Sequence, residues 1–154
     1  MENLEQKKRR LFGKKHLPKY LEELNRLVRY EVKESDLLSI VDTDNFIESS
    51  KILDKNSLIF QKTILFSEKE KLLDLIKENT LEMNAPYLMY LSYSLDCGVM
   101  RLSSLYDVNF NFSFYDEHAG IIIFTREDKK EKILLDYSED NNKEIIEIEV
   151  YRKP

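Results

Sequence analysis

Glu144-Ile145-Ile146-Glu147-Ile148-Glu149-Val150-Tyr151 decides the fold. Ile146, Ile148 and Val150 point one way, and Glu147, Glu149 and Tyr151 the other, the two-residue period of a strand with one dry and one wet face. Upstream, Ile133–Tyr137 and Ile121–Thr125 are short runs rich in β-branched and aromatic residues. A charged turn, Arg126–Lys130, lies between them, and an acidic, amide-rich loop, 138–143, leads into the last strand. Tyr87–Tyr93 and Gly98–Leu102, joined through Leu95-Asp96-Cys97, read as two more strands. Phe110, Phe112 and Phe114 alternate with Asn111, Ser113 and Tyr115 before a turn at 116–120. Strands joined by short polar turns pair as antiparallel hairpins.

The period changes toward the N-terminus. Pro18 suits a first helical turn, and Leu21, Leu24, Leu27 and Val28 follow at helical spacing, so the sequence predicts a helix over 18–31. Residues 35–54 read as two short helical pieces with Asp42 as a cap between them. Leu58–Phe66 favours a strand. Ser67 with Glu70 forms a capping-box pattern before the apolar stripe Leu72, Leu73, Leu75 and Ile76. Helices first and strands after are the pattern of an α+β domain. The expectation is one domain over 1–154: N-terminal helices packed on one face of a mainly antiparallel β-sheet built from the C-terminal half.

The chain has 154 residues, 42% hydrophobic and 11% aromatic, enough to build a core. No stretch approaches the roughly 20 apolar residues of a bilayer span, and residues 1–10 lack the apolar segment of a signal peptide. With Cys97 the single cysteine, no internal disulfide can form. A cytoplasmic protein without membrane partners is expected. The net charge of −5 is unevenly spread. Residues 1–33 hold ten Lys/Arg against five Asp/Glu, and the remainder fourteen against twenty-four. A basic arm over 1–15, read as a solvated or frayed helix, thus precedes an acidic body, which has the wrong sign for gripping phosphates.

Residues with catalytic chemistry are sparse. The histidines are His16, in the arm, and His118, in an expected turn, and no nucleophile motif surrounds Cys97, so no catalytic residue is assigned. One Cys and two distant His do not make a zinc site. Gly13, Gly98 and Gly120 are too few and too scattered for a phosphate-cradling loop, and no cofactor is expected. Asp116 followed by Glu127-Asp128-Lys129 matches the D…ExK spacing of metal-dependent nucleases. Those residues flank the expected 121–125 strand, about 20 Å apart in an extended chain.

A surface is the better candidate. Asp136, Glu147, Glu149 and Tyr151 lie on strands, and Glu139 and Asp140 in the loop between them. Together they make an acidic, tyrosine-bearing docking surface. Asp116, Glu117 and His118 form a second candidate edge.

Four segments carry a resemblance: Tyr87 to Val99 (YLMYLSYSLDCGV), Asp116 to Ile123 (DEHAGIII), Leu134 to Tyr137 (LLDY) and Glu144 to Tyr151 (EIIEIEVY). Over residues 85–152 the chain resembles the small YxiF-like proteins of Bacillus and relatives, found near polymorphic toxin genes. More loosely, it is similar to acidic immunity proteins of contact-dependent inhibition systems. The resemblance implies an immunity protein that binds a cognate toxin, often a nuclease, and blocks it. An acidic surface fits such a partner, because a nuclease presents Lys and Arg to its substrate. Two alternatives stand beside it. One is a nucleic-acid-associated regulator using Lys7, Lys8, Arg9, Arg10, Lys14 and Lys15. The other is a metal-dependent nuclease using Asp116 and Glu127.

Overall fold

A computed structural model describes residues 1–53, 57–111 and 120–153. The helices are α1 (Leu4–Gly13), α2 (Leu17–Leu27), α3 (Ile40–Ser49), α4 (Leu72–Asn79) and the single turn α5 (Ser94–Cys97). The strands are β1 (Leu58–Leu65), β2 (Tyr87–Tyr90), β3 (Met100–Leu102), β4 (Ile121–Arg126), β5 (Glu131–Asp140) and β6 (Lys143–Arg152). They form one sheet, ordered β1-β6-β5-β4-β2-β3, in which every neighbouring pair is antiparallel. The expected α+β architecture is present.

One face of the sheet builds the core. Ile146, Ile148 and Val150 of β6, Ile133 and Leu135 of β5, and Ile122 and Phe124 of β4 are all buried. Tyr20, Leu24 and Leu27 of α2 and Leu72 and Ile76 of α4 belong to the same apolar cluster. The α2 stripe at helical spacing and the β6 alternation are therefore the two sides of one contact.

Several boundaries differ from the sequence expectation, each for a local reason. The α2 helix stops at Leu27, not at residue 31, because Val28 adopts an extended conformation and bridges Val108. Asn109 N–H closes the end by donating to the Leu27 carbonyl at 2.7 Å. Ser39, not Asp42, caps α3, its hydroxyl accepting from the Asp42 amide at 3.0 Å. Before α4, Phe66–Lys71 forms a 3-10 turn in which Glu68, not Glu70, accepts from the Leu65 amide. β2 ends at Tyr90 because the Ser94 hydroxyl captures the Leu91 amide at 2.7 Å and turns the chain into α5.

The expected 138–143 loop is strand almost throughout. β5 runs to Asp140 and β6 starts at Lys143, leaving a two-residue turn of Asn141 (φ 51°) and Asn142 (φ 64°). Tight hairpins need positive φ at both positions, and Asn tolerates it. Phe110 is buried, Asn111 lies in a turn, and Phe112 and Phe114 fall outside the described residues.

The second sheet face is covered only at one end. There Leu88 of β2 and Thr125 of β4 stand opposite each other and are buried. Lys132 of β5, opposite Thr125, donates to the Leu53 carbonyl at 3.2 Å, so the segment after α3 reaches over this row. At the sheet edge, Leu38 N–H donates to the Val99 carbonyl and Leu37 bridges Met100. A Cβ at Gly98 (φ +100°) would lie 2.1 Å from the Leu38 carbonyl oxygen, so this close approach requires glycine.

Candidate functional site

Away from that covered end, the second face of β4, β5 and β6 carries the candidate surface. Cross-strand register places Asp136 directly opposite Glu147 on one side and Ile121 on the other. Glu149 stands opposite Leu134, and Tyr151 opposite Lys132. Four of the expected residues, Asp136, Glu147, Glu149 and Tyr151, therefore share one face, and Asp140 continues it at the hairpin end opposite Lys143. Glu139 does not join them. Because the loop is strand, Glu139 alternates onto the face that carries Tyr137. Asp116, Glu117 and His118 lie outside the described residues.

The electrostatics of this face are uneven. Asp136 and Glu147 are half-buried, and among the described residues neither forms an ion pair. Like charges directly opposite one another on a sheet destabilise it. Glu149 accepts a hydrogen bond from the Tyr151 hydroxyl. Burial, reinforced by the Glu149 carboxylate, pushes the Tyr151 hydroxyl up to about 12, so it stays protonated and donates. Lys132 Nζ sits 4.5 Å from the Tyr151 ring centre and closes this end of the patch. Apolar side chains surround the acids: Ile121 is 47% exposed and Leu65 39%, with Ile123, Leu134 and Ile145 half-buried. Desolvatable apolar area with carboxylates set into it suits protein docking.

The basic arm is a packed helix rather than a frayed one. Arg9 makes a two-pronged contact with Asp44 at 2.9 and 2.8 Å and also donates to the Leu95 carbonyl. Gln6 donates to Asp44 at 2.9 Å, and Arg10 pairs with Glu2 at 2.9 Å. The Arg9 hydrogen bonds hold the Asp44 carboxyl below its ordinary value. The contact thus contributes above the ordinary carboxylate pKa and is lost only as pH falls through the lowered one. Of the six cations assigned to nucleic acid, Arg9 and Arg10 are committed to carboxylates, while Lys7, Lys8, Lys14 and Lys15 are exposed.

Gly13 lets the end of α1 approach α5. A Cβ there would lie 2.3 Å from the Asp96 carbonyl oxygen. Gly13→Ala is expected to cost about 1–3 kcal/mol, the range for forced overpacking. It should also speed tryptic cleavage within residues 7–15, measured by limited proteolysis. Unchanged protection would show that α1 is held without this contact.

The candidate catalytic groups are engaged elsewhere. Burial and neighbouring Asp96 push the Cys97 thiol up to about 11, where almost none is thiolate at neutral pH. Alkylation of Cys97 in the folded chain at pH 8 is expected to run about 100-fold slower than in the unfolded chain; equal rates would contradict that environment. Cys97 lines a cleft of about 350 Å³ with Arg10, Lys14, Glu34 and Asp96. His16 packs its ring against Phe12 and Tyr93 at 4.9 and 5.1 Å. Glu127 pairs with Arg101, Asp128 with Arg126 at 3.2 Å, and Lys129 lies over Phe46. The described half of the nuclease-like pattern is thus neutralised by arginines. Among the described residues, no group of three or more His, Cys, Asp and Glu could hold a metal ion.

One polar centre escaped sequence reasoning. Glu131, wholly buried, accepts from the Arg152 guanidinium at 2.9 Å, the Tyr87 hydroxyl at 3.1 Å and the Leu81 amide at 3.2 Å. Arg152 also donates to the Asn79 carbonyl at the end of α4. The signal was phase: Glu131 lies two residues before Ile133 and hence on the buried face.

No protein-family model matches the chain, and searches of curated proteins and of solved structures found no match either.

Proposed function

We propose that this chain is a stoichiometric binding protein of the immunity type, which neutralises a basic protein toxin through the second face of β4, β5 and β6. The observation that carries the reading is the Asp136–Glu147 pair, two carboxylates directly opposite each other with no cation paired to either among the described residues. Such a pair weakens the free fold and is relieved when a partner supplies Lys or Arg. Leu134, Ile145 and Ile121 around it supply apolar contact area, and acids at the centre speed encounter with a basic partner. The resemblance of residues 85–152 to YxiF-like proteins points the same way.

Affinity capture from lysate of the source organism, followed by co-expression with the captured protein, tests this. The expected result is one basic protein bound at a 1:1 ratio, toxic when expressed alone and harmless beside this chain. Recovery of nucleic acid in place of a protein would overturn the reading.

A further inference from the structure

Helix α1 is amphipathic in the reverse of the usual sense. Surface helices normally turn apolar side chains to the core and charges to water. Here the inward side is polar: Gln6 and Arg9 reach Asp44, and Gly13 abuts the Asp96 backbone. The outward side carries Leu4, Leu11 and Phe12, which are 69%, 48% and 50% exposed. Lys7, Lys8 and Lys15 stand among them, exposed, with Lys15 Nζ 4.9 Å from the Phe12 ring centre. Leu4, Lys8, Leu11 and Lys15 follow at four-, three- and four-residue steps along one stripe.

We propose that this face of α1 docks the chain on an anionic lipid surface. The proposal stands apart from the partner assigned to the acidic face. Charge complementarity selects the occupant: the lysines meet lipid phosphates, and their stems let the ammonium groups reach the headgroups while Leu4, Leu11 and Phe12 enter the acyl boundary. A nucleic acid would use the lysines and leave the two leucines in water. The uneven charge of the chain also orients approach, because the acidic body is repelled from such a surface and the basic end is drawn to it. Arg9 and Asp44 keep the helix formed and its outward face presented before contact, which lowers the ordering cost of binding. This is a surface contact; no helix among the described residues is long and apolar enough to cross a membrane.

Co-sedimentation of the full chain with vesicles tests it, using phosphatidylcholine alone and phosphatidylcholine mixed with phosphatidylglycerol. The chain should bind the mixed vesicles at low salt and not the neutral ones. Leu11→Asp with Phe12→Asp, and separately Lys7→Glu with Lys8→Glu, should each lower binding about tenfold or more. Circular dichroism of both variants should match the parent, since all four side chains are exposed. Failure to bind the mixed vesicles would overturn the proposal. So would binding that survives loss of Leu11 and Phe12 but not of Lys7 and Lys8, which marks a general polyanion contact.

Discussion

Glu131→Ala is expected to lower the unfolding free energy by about 3–5 kcal/mol, the usual effect of breaking a buried ion pair from one side. Glu131 is wholly buried and holds Arg152, the Tyr87 hydroxyl and the Leu81 amide together. Its removal leaves a guanidinium, a hydroxyl and a backbone N–H without their acceptor. Burial, aided by the Glu131 charge, raises the Tyr87 pKa, so that hydroxyl stays a donor and cannot take over the carboxylate's part. Replacing both partners, Glu131→Met with Arg152→Met, should recover most of the loss, because the expense lies in orphaned polar groups rather than in a missing attraction. Urea titration measures both. The midpoint should move while the slope stays constant, as expected when stability changes and compactness does not. A single-variant loss under about 1 kcal/mol would mean that water reaches the site and replaces the carboxylate.

The second large effect concerns binding. Glu147→Lys converts the Asp136–Glu147 pair from like to opposite charge, so the free chain should gain about 0.2–1 kcal/mol of stability. Asp136→Lys should do the same. Combined, the two place lysines opposite each other and restore the repulsion, now with the sign that rejects a basic partner. The single variants should slow association with a basic protein about tenfold at low salt and flatten its salt dependence, because encounter is electrostatically steered. A variant that folds better and binds worse separates docking from folding. A variant that binds worse only because it unfolds shows the opposite stability change.

Residue periods made the broad architecture legible. The alternation over Ile146, Ile148 and Val150 and the stripe over Leu21, Leu24 and Leu27 describe two surfaces that meet in the core. What escaped was set by contacts from distant segments. Val28 has helical neighbours in sequence, yet the bridge to Val108 pulls it out of α2. Ser94 ends β2 through a side-chain hydrogen bond that competes with the ladder. Asn141 and Asn142 were read as loop polarity although paired asparagines favour a two-residue turn. That reading also misplaced Glu139: one residue of strand phase decides which face a side chain joins. Asp136, Glu147, Glu149 and Tyr151 were legible as one face because they lie on two long strands of clear alternation. The Glu131 centre was hidden by the habit of assigning charge to water. The inward side of α1 was hidden because its anchors, Asp44 and Asp96, lie 35 and 87 residues downstream of Arg9.

Paired affinity capture from one lysate, with the parent chain and the Glu147→Lys variant as baits, tests the central claim most directly. The account predicts that the parent retains a single basic protein at a 1:1 ratio and that the better-folded variant loses it as salt is raised to physiological strength. Equal retention by both baits would contradict the acidic face as the docking surface.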